Sequence, residues 1–210
     1  MKMKKRAIIL DLDNTIYSAH SIGDKLFREL YSLLEINQSE FQGSLTDIKK
    51  DINKKPFSVV AEKYNMSKYL YQDALELLKK LTYNDPMECF ADYDAVKKIN
   101  CDKFLVTSGF PNLQYSKIKQ LGIEGDFKGI SIVDTISTDN TKKDVFESIQ
   151  LCHNYDLSEL LVVGDDPDSE IAAALALGMD AVLYAKNPLS VEAVSGVSVI
   201  NSFENLYCFL

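Results

Sequence analysis

Near the start of the chain an apolar run closes on two carboxylates, Ala7-Ile8-Ile9-Leu10-Asp11-Leu12-Asp13, and Asn14 and Thr15 follow. Residues two apart on an extended backbone share a face, so a strand over 6–12 brings Asp11 and Asp13 together at its carboxyl end. Acids crowded there repel, and each perturbs the other's hold on its proton. A cation relieves that repulsion, and catalysis exploits it. Three more polar clusters recur along the chain: Thr107-Ser108, Lys142-Lys143 and Asp165-Asp166. Together they supply the parts of a phosphoryl transfer. One carboxylate can attack phosphorus, and a second can protonate the leaving oxygen and then activate water. A third, with the first, can hold Mg²⁺, which takes oxygen ligands. A lysine, a hydroxyl and backbone N–H groups can hold the phosphate oxygens, whose charge must be stabilised as the group moves.

The elements that must position these groups follow from the apolar patterning. Continuous apolar runs at 6–12, 103–107 and 160–164 fit strands covered on both faces, as in a parallel sheet. Shorter runs at 130–133, 181–184 and 197–200 add three strands. Helical patterns lie between them at 92–99, 111–121, 141–155 and 167–177, with Pro111 early and Gly122 late in the second and Gly178 ending the last. Alternation of this kind predicts an α/β fold, a doubly wound, Rossmann-like parallel sheet. Its strand ends would gather the four polar clusters on one edge, where such sheets bind ligands. Residues 16–88 break the alternation. They show helical patterns at 25–34, 38–53, 56–64 and 68–81, with Leu26, Leu30, Leu33 and Leu34 on one face. This stretch predicts an all-helical insert that acts as a cap or lid. The expected division is a catalytic core of 1–15 and 89–210 and a cap of 16–88.

Asp11-Leu12-Asp13-Asn14-Thr15 resembles the first motif of the haloacid dehalogenase (HAD) superfamily in its phosphatase form. Phe104-Leu-Val-Thr107-Ser-Gly resembles the second motif, Lys142 or Lys143 the third, and Leu161-Val-Val-Gly164-Asp165-Asp166 with Glu170 the fourth. The motifs stand in order along the whole chain, and the insert falls where that family places a cap. The string from Asp11 to Tyr17 is similar to that of pyrimidine 5′-nucleotidase-like phosphatases. The resemblance implies Asp11 as nucleophile and Mg²⁺ ligand, and Asp13 as general acid/base lending its backbone carbonyl to the metal. It implies Thr107, with Ser108, as phosphate ligand, a lysine stabilising nucleophile and transferring group, and Asp165 completing the metal site. Relatives often carry Lys-Pro at the third motif, and this chain carries Lys142-Lys143-Asp144. Spacing to Val145-Phe146 favours Lys142, with Lys143 the alternative.

Structural readings stand beside these. Asp166 precedes Pro167 and suits a helix N-cap, which leaves Asp165 as the ligand. Glu170 either orients the metal's waters or faces solvent. Tyr17, His20 and Ser21 are placed to line the inner surface of the cap. Phe27, Tyr31, Tyr64, Tyr69 and Tyr71 read as cap core, and His153 has no catalytic role.

Composition narrows the function. A net charge of −8 over 210 residues argues against a nucleic-acid polymer as partner. The basic residues before position 7 lack a following apolar h-region, and no run approaches a membrane span. Cys89, Cys101, Cys152 and Cys208 form no Cys-x-x-Cys pair and read as reduced thiols of a cytoplasmic protein. Acids rather than Gly-x-Gly-x-x-Gly follow the first strand, which excludes a dinucleotide-binding oxidoreductase. The expectation is a Mg²⁺-dependent phosphomonoester hydrolase working through an aspartyl-phosphate on a small phosphate ester. A nucleoside monophosphate is the first substrate class and a sugar phosphate the second. A phosphomutase and a non-catalytic phosphate-sensing module are the alternatives. Monomer and homodimer remain open.

Overall fold

A computed structural model describes residues 4–53, 55–134, 136–186 and 194–210. Six strands, β1 (Ala7–Leu10), β2 (Asp102–Ser108), β3 (Gly129–Val133), β4 (Leu160–Gly164), β5 (Asp180–Tyr184) and β6 (Ser198–Ile200), form one sheet. Its order is β3-β2-β1-β4-β5-β6, and every pairing is parallel. The α/β, Rossmann-like arrangement is therefore the one the alternation predicts. The chain moves outward from β1 to β3 and returns to lay β4 on the other side of β1. The crevice that this reversal opens lies at the carboxyl ends of β1 and β4.

Alternation along β1 splits the core in two. Ile8 and Leu10 point to one face with Leu105, Leu161, Val163 and Val182. Ala7 and Ile9 point to the other with Phe104, Val106, Leu160 and Val162. All four β1 residues are buried, and full burial of an Ile or Leu side chain stabilises by about 1.5–3 kcal/mol. Helices α1 (Gly23–Leu26), α2 (Arg28–Ile36), α3 (Leu45–Ile52), α4 (Phe57–Lys63) and α5 (Lys68–Lys80) fill the connection from β1 to β2 and precede α6 (Asp94–Lys97). Leu30, Leu34, Ile48, Val60, Leu70, Ala74 and Leu78 give the insert its own core. Helix α7 (Pro111–Leu121) follows β2, α8 (Lys142–His153) follows β3, and α9 (Ala172–Leu177) follows β4. Among the described residues no helix is long and apolar enough to cross a membrane.

The elements depart from expectation in several places. The helix expected over 25–34 is two pieces that meet at Phe27, and the one expected over 92–99 shortens to α6. The helix expected over 38–53 is a 3-10 turn, Gln38–Glu40, and then α3. Phe41 is extended between them, and the Ser44 side chain caps α3 by accepting from the Asp47 N–H at 3.2 Å. Helix 167–177 opens as a π turn over Pro167–Ile171 before α9. Tyr69 is exposed rather than part of the insert's core, whereas Tyr31 and Tyr64 are buried.

Candidate active site

Asp11 stands one residue beyond β1, and its N–H still donates to the Val163 carbonyl of β4 at 3.0 Å. This bond pins the end of β1 against β4 and sets Asp11 beside Asp165. Past it, Asn14 takes the left-handed conformation at φ 57°, which asparagine tolerates better than most residues. Its side chain accepts from the Ala19 N–H at 3.0 Å. The turn drops Thr15 under the acids. The Thr15 hydroxyl lies 3.5 Å from Asp11 Oδ2 and 3.4 Å from Asp165 Oδ1.

The lysine comes from the first turn of α8, which Thr141 and Asp144 close with reciprocal side-chain-to-backbone bonds. Lys142 is buried and donates to Asp11 Oδ1 at 2.7 Å and to Glu170 Oε2 at 2.6 Å. Lys143 is exposed, so Lys142 is the residue of the pair that reaches Asp11. Glu170 is only 1% exposed, which rules out the solvent-facing alternative for it. Its Oε2 holds Lys142 and its Oε1 accepts from the Asp166 N–H at 2.8 Å. The π turn presents Glu170 inward, and Gly164 makes room. A Cβ at position 164 would lie 2.1 Å from Glu170 Oε1 and 2.3 Å from its Cγ. The Asp166 side chain accepts from the Asp168 N–H at 2.9 Å and caps the turn.

Asp11, Asp165 and Glu170 bring ligand oxygens within 4.8 Å of one another, with one ammonium among three acids. Burial, then the charges of Asp11 and Glu170, push Asp165 up to about 8. Burial raises Asp11 as well, aided by Glu170 and Asp13 and opposed by Lys142. Burial alone would lower Lys142, but Asp11 and Glu170 hold it above its ordinary value. This all-oxygen, acid-rich donor set fits Mg²⁺. Lys142 engages Asp11 through Oδ1 alone and makes no bond to Asp165, which leaves Asp11 Oδ2 and the Asp165 carboxylate to a cation.

Asp13 turns the other way. Its Oδ1 accepts from Lys117 Nζ at 2.8 Å and from the Tyr17 hydroxyl, and its Oδ2 accepts from Gln114 Nε2 at 2.8 Å. Burial would raise its pKa, but the Lys117 charge and the bonds from Lys117, Tyr17 and Gln114 hold it below the usual carboxylate value. Among the groups expected at a metal, the Asp13 carboxylate is therefore absent from the acid cluster, and the resemblance had assigned only its backbone carbonyl. Tyr17 is fully buried, so it braces Asp13 instead of lining the insert, while His20 and Ser21 are exposed. The Thr107 hydroxyl is buried and accepts from Gln114 Nε2 at 2.6 Å. An open cleft of about 330 Å³ runs beside Lys142, lined among others by Ser108, Thr141, Lys143, Asp168 and Ser169.

The structure thus gathers Asp11, Asp165 and Lys142 and sets Asp13 and Thr107 just beside them. Gln114 and Lys117 were not singled out from the sequence, and Thr15 entered only as the last residue of the first motif. The buried stripe of α7 carries Leu113, Gln114, Lys117 and Ile118, so two polar residues at core positions of a helix were the available signal.

The model of the haloacid dehalogenase-like hydrolases matches residues 5–178, and the chain belongs to that family. A candidate phosphatase from Clostridium difficile superposes with a TM-score of 0.70 at 17% identity, covering 100% of both chains. The candidate HAD hydrolase YfnB from Bacillus subtilis, crystallised with magnesium bound, gives 0.66 at 18% identity and 99% of each chain. A candidate β-phosphoglucomutase from Thermotoga maritima gives 0.64 at 13% identity, over 99% of this chain and 100% of that one. At these identities the likeness is one of fold.

Proposed function

We propose that the chain is a Mg²⁺-dependent phosphomonoesterase that works through an aspartyl-phosphate on Asp11. The observation that carries this is the buried Lys142 ammonium, held between Asp11 at 2.7 Å and Glu170 at 2.6 Å, with Asp165 beside them. Asp11 attacks the phosphorus of a monoester, forming the acyl phosphate while the leaving oxygen departs and takes a proton from Asp13. Water then attacks the aspartyl-phosphate, giving its proton to Asp13 and releasing inorganic phosphate with Asp11 restored. Lys142, itself buried, offsets the charge of the nucleophile and the transferring oxygens. Asp11 and Asp165 would hold Mg²⁺, which supplies a counter-charge for the phosphoryl oxygens when bound. Thr107 and Ser108 would bind those oxygens.

The insert of α1 to α5 acts as the cap over this edge and selects the ester. Nucleoside monophosphates are the first class to screen and sugar phosphates the second, the former favoured by the Asp-Leu-Asp-Asn-Thr-Ile-Tyr string. A panel of phosphorylated metabolites with Mg²⁺ tests the reading, with free phosphate measured. Turnover that EDTA removes and that Asp11→Asn abolishes in a folded protein supports it. Undiminished turnover in Asp11→Asn overturns the covalent mechanism. Isomerised phosphate ester with little free phosphate would reassign the activity to a phosphomutase.

A further inference from the structure

Two buried polar side chains on α7, Gln114 and Lys117, are 1% and 6% exposed and have no place in the mechanism above. They lie three residues apart on one helix face, and both end on Asp13. Gln114 also spans to the second strand end: its Nε2 lies 2.8 Å from Asp13 Oδ2, 2.6 Å from Thr107 Oγ1 and 3.3 Å from the Ser108 carbonyl. We propose that Gln114 and Lys117 are positioning residues that fix the Asp13 carboxylate and, through Gln114, lock it in register with the phosphate ligand Thr107. The inference rests on the phosphomonoesterase reading.

The chemistry of the donors gives the arrangement its direction. An ionised carboxylate only accepts hydrogen bonds, so the Gln114 amide must present its NH₂ to Asp13 and its flip is fixed. The same nitrogen then donates to Thr107, whose hydroxyl accepts and keeps its own single proton for another acceptor, such as a phosphate oxygen. Lys117 and Tyr17 take Oδ1 while Gln114 takes Oδ2, so the carboxylate cannot rotate without giving up a bond. Gly109 lets the amide pass: a Cβ there would meet Gln114 Cγ and Cδ at 3.3 Å, and φ is +144°. Asn112, on the same helix, donates to the Lys79 carbonyl of α5 at 2.8 Å, and Ser116 accepts from the Tyr83 N–H at 2.8 Å. Helix α7 thus carries the Asp13 anchors and the contacts to the insert on one rigid element.

The test compares β-glycerophosphate, whose alkoxide must be protonated as it leaves, with p-nitrophenyl phosphate, whose leaving group needs no proton. Lys117→Met and Gln114→Met remove the donors at similar volume. In each, kcat/KM on β-glycerophosphate, which reports the step that expels the alcohol and not the shared hydrolysis of the aspartyl-phosphate, is expected to fall at least about tenfold more than on p-nitrophenyl phosphate, the size of a general-acid effect partly lost. Gln114→Met should also raise KM for both esters, because Thr107 loses its anchor. In an Asp13→Asn background Lys117→Met should add no further loss, since it acts through Asp13. Should the Met variants fail to fold, Gln114→Asn keeps the amide but is too short to span both partners, and it carries the same expectation for the two esters. Equal losses of kcat/KM on the two esters, or additive losses with Asp13→Asn, overturn the positioning role alone. A wild-type protein that hydrolyses neither ester with Mg²⁺ overturns the phosphomonoesterase reading and this inference with it.

Discussion

Asp11 and Asp13 sit two residues apart at the end of one strand, yet their surroundings are opposite. On the Asp11 side three carboxylates share one ammonium, and burial raises the proton affinity of Asp11 and Asp165. On the Asp13 side one carboxylate is saturated by an ammonium, a phenol and an amide, and its proton affinity falls. Titratable groups whose environments push them apart divide the labour of a site. Here the side short of positive charge suits a cation and a phosphoryl group, and the saturated side suits a carboxylate held in one orientation for proton transfer. The difference comes from which helix serves each side: α8 and the π turn supply Lys142 and Glu170 to one, and α7 supplies Gln114 and Lys117 to the other.

Substitutions on the two sides should fail differently. Asp13→Asn removes the proposed proton-transfer group, and kcat on β-glycerophosphate is expected to fall about 10²–10⁴-fold, with a far smaller loss on p-nitrophenyl phosphate in the first half-reaction. Burst kinetics with the aryl ester would reveal a slowed second half, because water attack on the aspartyl-phosphate still lacks its base. Lys142→Met should lower kcat about 10²–10³-fold on both esters alike, since it removes charge stabilisation common to them. It also leaves Asp11 and Glu170 facing each other in a buried site, so unfolding of the metal-free protein should show a loss of about 3 kcal/mol. A leaving-group-dependent loss in Lys142→Met would erase the distinction between the sides.

Much of this was legible in the chain. The six strands and the clusters at their ends follow from apolar runs that stop at polar residues, because a parallel strand buried on both faces permits little else. Asp166 as a cap could be read from Pro167. The tertiary half of the site could not. Glu170 reaches Lys142 only because a π turn follows Pro167 and Gly164 leaves space, and neither is a matter of propensity. Gln114 and Lys117 belong to no motif, and only the packing of α7 against the sheet turns them onto Asp13. The helix over 38–53 failed locally, since the Ser44 cap competes with continuation of the helix after Glu40.

Proton affinity separates the sides by pH as well. Protonating an alkoxide requires Asp13 in its acid form, and that population falls tenfold per pH unit above its pKa. Because the native surroundings depress that pKa, the ratio of alkyl to aryl turnover should already be falling as pH rises through 5–7. Groups common to both esters cancel in the ratio. Lys117→Met removes the largest lowering influence on Asp13, so the fall should begin at higher pH, from a ratio that starts lower because the carboxyl is no longer held in place. An unchanged ratio profile in that variant would mean that Lys117 does not govern the protonation of Asp13.

The smallest expected effect belongs to the Asp11 side and needs no turnover. Asp165 releases its proton near pH 8 in the folded protein and near 3.8 when free of it, and Asp11 shifts in the same direction. Between those limits the folded metal-free state binds more protons than the unfolded state, so this site lowers stability as pH rises across that window. Mg²⁺ competes with these protons for Asp11 and Asp165. Its stabilisation should therefore grow from pH 6 to pH 8, reaching about 2.7 kcal/mol at a hundred times Kd, or roughly 5–10 °C in Tm for a chain of this size. Calorimetry at the two pH values, with and without Mg²⁺, reads the difference directly. Asp165→Asn should abolish the Mg²⁺ shift while raising the metal-free Tm at pH 8, because it deletes a charge that the buried site holds at a cost. A Mg²⁺ shift that survives in Asp165→Asn would move the cation away from the acid cluster, and the contrast between the two sides of β1 would lose its meaning.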